Sequence, residues 1–345
     1  MTGEDGALPP ITRPTIRDVA AAAGVTVGTA SRALNGRGQL RTETRDRVWA
    51  AAERLDFRPN DLIRSLQRGR TYTVGLLTAD QQGRFSIPLL TGVEDALGAA
   101  EILVFLCNVR GDPERERTAI ASLLAKQVDG VIVMGNRTDP RPAVDVGRSR
   151  VPVVYAYTQV PGPDALCLLP DDAQGAALAA EHLARLGRRR IAHVSGPGHW
   201  TAVRQRRVAA AVVLSQHGLD LPERRVLLGR WSEGWGFEAI DRLLEREPGI
   251  DAVFCGSDQI ARGVLDGLRE RGRNVPDDVA LVGFDNWEIL AASARPPLTT
   301  VDMNLHDLGQ EAARCLLAMV AGAQEKGVRC LPCSLVLRDS CGGRR

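Results

Sequence analysis

The side chains of this sequence best placed for directional contacts are Arg32 and Asp285. Arg32 follows Thr26, Val27 and Gly28 in a short helical stretch, where its planar donor fork can leave the helix surface and grip two acceptors at once. Asp285 follows the apolar run Val279-Ala-Leu-Val282, so its carboxylate can point into a cleft and accept hydrogen bonds from hydroxyl or amine donors. Gly283 just before it leaves backbone room. Both are binding chemistries. No Gly-x-Ser-x-Gly, His-Glu-x-x-His or phosphate-loop pattern occurs and the five histidines are dispersed, so catalysis has no support. Cys330-Leu-Pro-Cys333 has the spacing of a redox or metal pair, but it lacks a second pair and lies in a late apolar run over 330–337. Gly196-Pro-Gly198 with His199 lacks the glycine spacing of a nucleotide fingerprint and reads as a cleft loop. No cofactor or metal is expected.

The elements that must carry these residues fall into two classes. Between Thr15 and Leu55 the apolar residues recur with helical spacing in three short pieces: Ile16, Val19 and Ala20; Ala30, Ala33 and Leu34; Val48, Ala51, Ala52 and Leu55. Thr15 can cap the first, Gly24 permits a tight turn, Thr26 can cap the second, and Val25 and Ala30 can fill the contact between them. This is the grammar of a helix-turn-helix, with a recognition helix over Val27–Leu34 whose Thr26, Val27, Gly28 and Arg32 would face base edges. The alternative is an ordinary helical hairpin with Arg32 solvated.

From Tyr72 onward, apolar runs at 74–78, 103–106, 130–134, 151–155, 190–194, 252–255 and 279–282 alternate with helical stretches such as 114–126, 176–186 and 259–271. Continuous apolar strands of this kind predict parallel sheets covered on both faces. They are too many for one compact sheet, which favours two α/β lobes and a ligand cleft at the strands' C-terminal ends.

The bulk properties agree with a binding protein in two parts. The 12 arginines and 8 acids of residues 1–70 make that stretch basic by four charges, whereas the remainder is acidic by two. No apolar run has the ~18 residues of a membrane span. The acidic opening, Met1 to Pro10, lacks the features of a secretory signal, so a cytoplasmic location is expected. The seven cysteines read as reduced packing residues.

The segments Thr15-Ile-Arg-Asp-Val-Ala, Ala23-Gly-Val-Thr-Val, Thr29-Ala-Ser-Arg-Ala-Leu-Asn35, Thr42-Glu-Thr-Arg-Asp-Arg-Val48 and Leu55-Asp-Phe-Arg-Pro-Asn60 resemble, in order and spacing, the lactose/purine-repressor (LacI/GalR) family of bacterial transcriptional regulators. The similarity runs from about Thr15 to Asp339. It implies an α plus α/β chain: a disordered leader over 1–14, a helix-turn-helix over 15–59, a hinge helix and linker over 60–71, and a two-lobed periplasmic-binding-protein-like effector and dimerisation domain over 72–345. The implied DNA contacts are Thr15, Thr26, Val27, Gly28, Thr29, Ser31, Arg32, Asn35, Asn60, Arg64 and Leu66. Leu66 stands where the family inserts a leucine wedge into the minor groove. Ile63 stands where the family commonly has alanine.

The resemblance continues through Gly229-Arg-Trp-Ser-Glu-Gly-Trp-Gly-Phe237, Cys255-Gly-Ser-Asp-Gln259, Leu281-Val-Gly-Phe-Asp-Asn286 and Pro297-Leu-Thr-Thr-Val301. It implies an effector site of Phe85, Arg206, Trp231, Ser257, Asp258 and Asp285. The arginine's motif is incomplete, because alanines replace its glycine and aromatic residue, and Arg204 or Arg207 could take the role of Arg206. Phe85, Trp231 and Asp258 could equally be packing residues. The expected partners are double-stranded operator DNA, a small neutral effector such as a sugar, and a second copy of the chain. The family's tetramer-forming extension is absent, which favours a dimer. A sugar-binding protein or an enzyme on the same α/β domain is the competing reading; the fused helix-turn-helix and missing signal segment argue against it.

Overall fold

A computed structural model describes residues 14–35, 38–57, 70–98 and 102–342. Its contacts divide the chain into two units after Thr71.

The first unit holds three helices, α1 (Ile16–Ala23), α2 (Val27–Leu34) and α3 (Thr42–Arg54). Their small apolar faces close one core: Val19, Ala20 and Ala23 from α1, Ala30, Ala33 and Leu34 from α2, and Val48, Ala51 and Ala52 from α3. Mostly alanine and valine, that core lets short helices approach closely. Ile16, Val25, Leu40, Leu55 and Phe57 pack around its rim.

The second unit contains two six-stranded sheets. The first comprises β1 (Thr73–Thr78), β2 (Leu103–Asn108), β3 (Gly130–Met134), β4 (Val153–Ala156), β5 (Leu166–Pro170) and β11 (Gly327–Leu331), in the order β11-β5-β4-β3-β1-β2. All its pairings are parallel. The second comprises β6 (Ile191–Ser195), β7 (Val226–Leu228), β8 (Ala252–Cys255), β9 (Ala280–Phe284), β10 (Thr299–Asp302) and β12 (Ser334–Val336), in the order β12-β10-β9-β8-β6-β7. Only β10–β12 is antiparallel. Each sheet is the core of one lobe. Helix α4 (Ser86–Gly98) packs on α11 (Leu305–Val320) in the first lobe; α6 (Asp172–Arg185) packs on α7 (Thr201–Gln216), and α8 (Glu233–Arg246) on α9 (Asp258–Glu270), in the second. Between β2 and β3 runs α5 (Pro113–Ala125), and α10 (Glu288–Ala291) follows β9. The chain crosses between lobes after β5, after β10 and between β11 and β12.

The seven expected strands are present within a few residues. Strands β5, β7 and β10 were not expected. The single late run over 330–337 is two strands, because Pro332 offers no N–H and the chain passes there from one sheet to the other. Strand β2 departs from the expectation of two covered faces: it closes one edge of its sheet, and Leu103 is 67% exposed. Cys330 is likewise exposed, contrary to its reading as a packing residue, whereas Cys333 is buried with its thiol toward the Asp171 carbonyl.

Candidate functional site

In the first unit, threonine side chains set where α1 and α2 begin. The backbone N–H and hydroxyl of Thr15 both donate to Asp18 at 2.7 Å, locking the first turn of α1 and holding the Asp18 carboxyl below its usual range. Gly24 ends α1 with φ +64°, a left-handed conformation that a side chain would strain. The Thr26 hydroxyl accepts the Thr29 N–H at 3.2 Å and starts α2. With Ala30, Ala33 and Leu34 turned inward, α2 presents Thr26, Val27, Gly28 and Arg32 to solvent. Val27 is 43% exposed, an apolar side chain set among polar ones. Thr29, Ser31 and Asn35 are half-buried, and the Asn35 amide donates to the Ser31 hydroxyl at 3.3 Å. Arg32 lies in the last turn, where its Nε donates back along the helix to the Gly28 carbonyl at 3.3 Å. Thr15 is exposed at the start of α1. Asn60, Arg64 and Leu66 lie outside the described residues, as does the expected hinge up to residue 69.

In the second unit a cavity of about 140 Å³ opens at the C-terminal ends of the strands, with walls from both lobes. Phe85 and Tyr157 of the first lobe stand with ring centroids 4.8 Å apart. Trp200 and Trp231 of the second stand 5.7 Å apart. Trp231 reaches its place because residue 196 has no side chain, since a Cβ there would meet Trp231 Cε2 at 2.2 Å. The loop over 196–199 therefore shapes the cavity. Asp80 positions Phe85: its carboxylate accepts the N–H groups of Gln82, Phe85 and Ser86 at 2.8–3.0 Å. Burial pushes the Asp80 pKa up, but these donors outweigh it and leave the carboxyl below its usual range.

Arg206 is buried on α7 and, of the three arginines the motif offered, is the one that lines the cavity; Arg204 and Arg207 turn away to His199 and Glu223. Its Nε and Nη2 donate to Asp172 at 2.8 and 2.6 Å, and its Nη1 to the Gly256 carbonyl at 2.7 Å. The guanidinium lies 3.5 Å from the centroid of Phe284. Its orientation is fixed by its own lobe.

Asp285 follows β9 as expected and lines the cavity. Its carboxylate is already engaged through Oδ2, however, because Arg84 of the first lobe pairs with it. The room foreseen beside Gly283 is also taken: a Cβ there would meet Asp258 Oδ1 at 2.3 Å. Ser257 and Asp258 do not line the cavity. Ser257 caps α9, accepting the Ile260 N–H at 3.2 Å. Asp258 is fully buried and accepts the Thr300 hydroxyl at 2.6 Å and the Trp287 N–H at 2.7 Å; burial pushes its pKa up to about 6. Both are bound within their own lobe, behind the cavity wall.

The site thus unites Phe85, Arg206, Trp231 and Asp285 from the expected set. It adds Arg84, Arg137, Tyr157 and Trp200, which sequence reasoning missed. Tyr157 stands one residue past β4, and the strand-end rule that selected Asp285 would have selected it too. Trp200 adjoins the Gly-Pro-Gly loop. Arg84 carried no signal beyond its neighbour Phe85.

The chain matches the bacterial regulatory proteins of the lacI family over residues 15–60 and the periplasmic binding protein-like domain over residues 180–341. It is 35% identical over 337 residues to the HTH-type transcriptional regulator CelR of Thermobifida fusca, covering 95% of this chain and 98% of that one. A structure of the lac repressor dimer bound to operator and the anti-inducer ONPF superposes with a TM-score of 0.81 at 28% identity, covering 96% of this chain and 99% of that one. A transcriptional regulator CelR–cellobiose complex superposes with a TM-score of 0.67 at 31% identity, covering 95% of this chain and all of that one.

Proposed function

The chain belongs to the lacI family of bacterial regulatory proteins and is a DNA-binding transcriptional regulator, and we propose that a small effector bound between its lobes sets its affinity for operator DNA. It works by binding, not by catalysis. The observation that carries this reading is the cavity: Phe85 and Tyr157 of one lobe meet Arg206, Trp231 and Asp285 of the other around about 140 Å³. A ligand touching both walls has a different affinity for each lobe arrangement, and only such a difference can move a coupled equilibrium.

At the DNA end, the exposed face of α2 is proposed to enter the major groove, with Val27 against a thymine methyl and Arg32 on a guanine. Thr15, Thr29, Ser31 and Asn35 flank that face. Residues 60–71 are proposed as the hinge, with Asn60 and Arg64 on DNA and Leu66 as the wedge. A second copy of the chain would place two such helices on a two-fold symmetric site in the cytoplasm. Large apolar side chains left bare on the first lobe, Ile87 at 62% and Leu103 at 67% exposure, suit a surface that a second copy covers.

Among the described residues no helix is long and apolar enough to cross a membrane. The lac repressor structure holds operator and the other complex holds cellobiose, which supports DNA and a sugar-like ring as the two ligands. The test is a thermal-shift screen of sugars and related metabolites, followed by operator binding with each hit. A hit should change operator affinity in the parent chain and not in Arg206→Gln. Hits that leave operator affinity unchanged would remove the cleft from control.

A further inference from the structure

We propose that the effector is an anion: a ring compound carrying a carboxylate or phosphate group, its anion held by Arg137 and its ring against Trp200 and Trp231. The proposal rests on the reading of the cavity as the effector site, and it replaces the neutral ligand that the sequence suggested.

The charge on the wall carries it. Three guanidiniums, those of Arg84, Arg137 and Arg206, line the cavity with one carboxylate, Asp285. Arg84 takes Asp285, and Arg206 takes Asp172 behind the wall. Two pairs cancel. Arg137 is left over: its guanidinium lies 5.1 Å from the Trp200 ring centroid, with no carboxylate in ion-pair reach among the described residues. The site therefore keeps one uncompensated positive charge beside its aromatic face.

The hydrogen-bonding groups point the same way. Of the lining residues, Arg84 Nε, Trp231 Nε1 and Asp285 Oδ2 are buried without a hydrogen-bond partner; Asp285 Oδ2 faces Arg84 in the ion pair, and the two atoms left are donors. Buried donors call for acceptor oxygens. A cationic ligand would meet a net positive wall whose one carboxylate is already paired with Arg84. A neutral polyol could accept these bonds, but it would leave the exposed Arg137 guanidinium without a counter-ion. An anionic ring meets every requirement: oxygens for the donors, charge for Arg137, and a flat apolar face for the tryptophans.

Sugar acids and sugar phosphates share this chemistry, and one experiment separates them. The full chain is titrated calorimetrically, at matched ionic strength, with D-glucuronate, D-galacturonate, D-glucose 6-phosphate and D-galactose 6-phosphate, and with neutral D-glucose and D-galactose. At least one anion should bind about tenfold or more tightly than its neutral parent, as expected for a charge-assisted hydrogen bond. The better of the carboxylate and phosphate arms identifies the source. Arg137→Gln should erase that preference while leaving the melting temperature of the free chain unchanged. Equal binding of neutral and anionic partners, no anion binding at millimolar concentration, or a preference that survives Arg137→Gln overturns the proposal. If anion binding instead survives both Arg137→Gln and Trp231→Ala, the ligand lies outside the cavity, and the effector-site reading itself fails.

Discussion

Arg84 of the first lobe crosses to Asp285 of the second, and the same guanidinium donates to Gln259 Oε1 at 2.8 Å on the far side. Their side chains are 9% and 3% exposed, and the pair forms a shared wall between the aromatic cavity and a second cavity of about 380 Å³. The rings of Phe85 and Trp287 hold the guanidinium, with centroids at 4.7 and 5.5 Å. An ion pair this buried contributes little over an apolar pair, but breaking it strands a charge. Arg84→Met and Asp285→Asn should each destabilise the chain by about 3–5 kcal/mol, and the double variant by clearly less than their sum. Urea unfolding of the four proteins checks this; strict additivity would mean the two residues do not act as a pair.

Two buried groups near the site give opposing pH dependences. His193 is buried on β6, and burial pushes its pKa down to about 4, so the unfolded chain binds a proton that the fold refuses and stability is lost as pH falls from 6.5 toward 4. Asp258 behaves in reverse: with its pKa pushed up to about 6, the fold holds a proton that the unfolded chain releases, and stability is gained as pH falls from 6 toward 3.8. Each is worth on the order of 3 kcal/mol, and between pH 4 and 6 they offset. Asp258→Asn should therefore make acid destabilisation steeper in that window, and His193→Gln should reverse it. Unfolding midpoints measured from pH 4 to 7 decide; parallel curves for all three proteins would show that neither group titrates as its burial requires.

Gly196→Ala should weaken effector binding without weakening operator binding. Its new methyl would displace the Trp231 ring from the cavity wall. Calorimetry with any ligand from the screen reads the loss, expected to exceed tenfold, while anisotropy with operator DNA should be unaltered. Unchanged effector affinity would remove Trp231 from the site.

Arg32→Ala should cost about 1–3 kcal/mol of operator affinity and relax base preference at one position in each half-site. Arg32 is exposed and, among the described residues, its one hydrogen bond goes to the Gly28 carbonyl, so the melting temperature should not move. Selection of preferred sites from random DNA would show the relaxed position; an unchanged preference would assign Arg32 to phosphate contact alone.

The helix-turn-helix was legible almost residue for residue because its determinants are local: caps at Thr15 and Thr26, a turn at Gly24, and alanines at helical spacing. The cavity was half legible. Asp285 and Tyr157 lie at strand ends, where a one-dimensional rule can point, and Arg206 and Trp231 came with a recognised motif. The pairing of Arg84 with Asp285 was not legible, because the partners are far apart in sequence and meet only when two lobes close. Asp258 looked like a ligand for the same reason that Asp285 did. What separates them is that Thr300 and the Trp287 backbone already occupy the Asp258 carboxylate, a fact of packing and not of position.

The most direct test of effector control is reciprocity. Operator affinity is measured by anisotropy at saturating effector and without it, and effector affinity by calorimetry with operator and without it. Regulation through the cleft predicts one factor, about 5–150-fold, appearing in both measurements and falling toward one in Arg206→Gln. Operator and effector binding that each proceed unchanged by the other would contradict it.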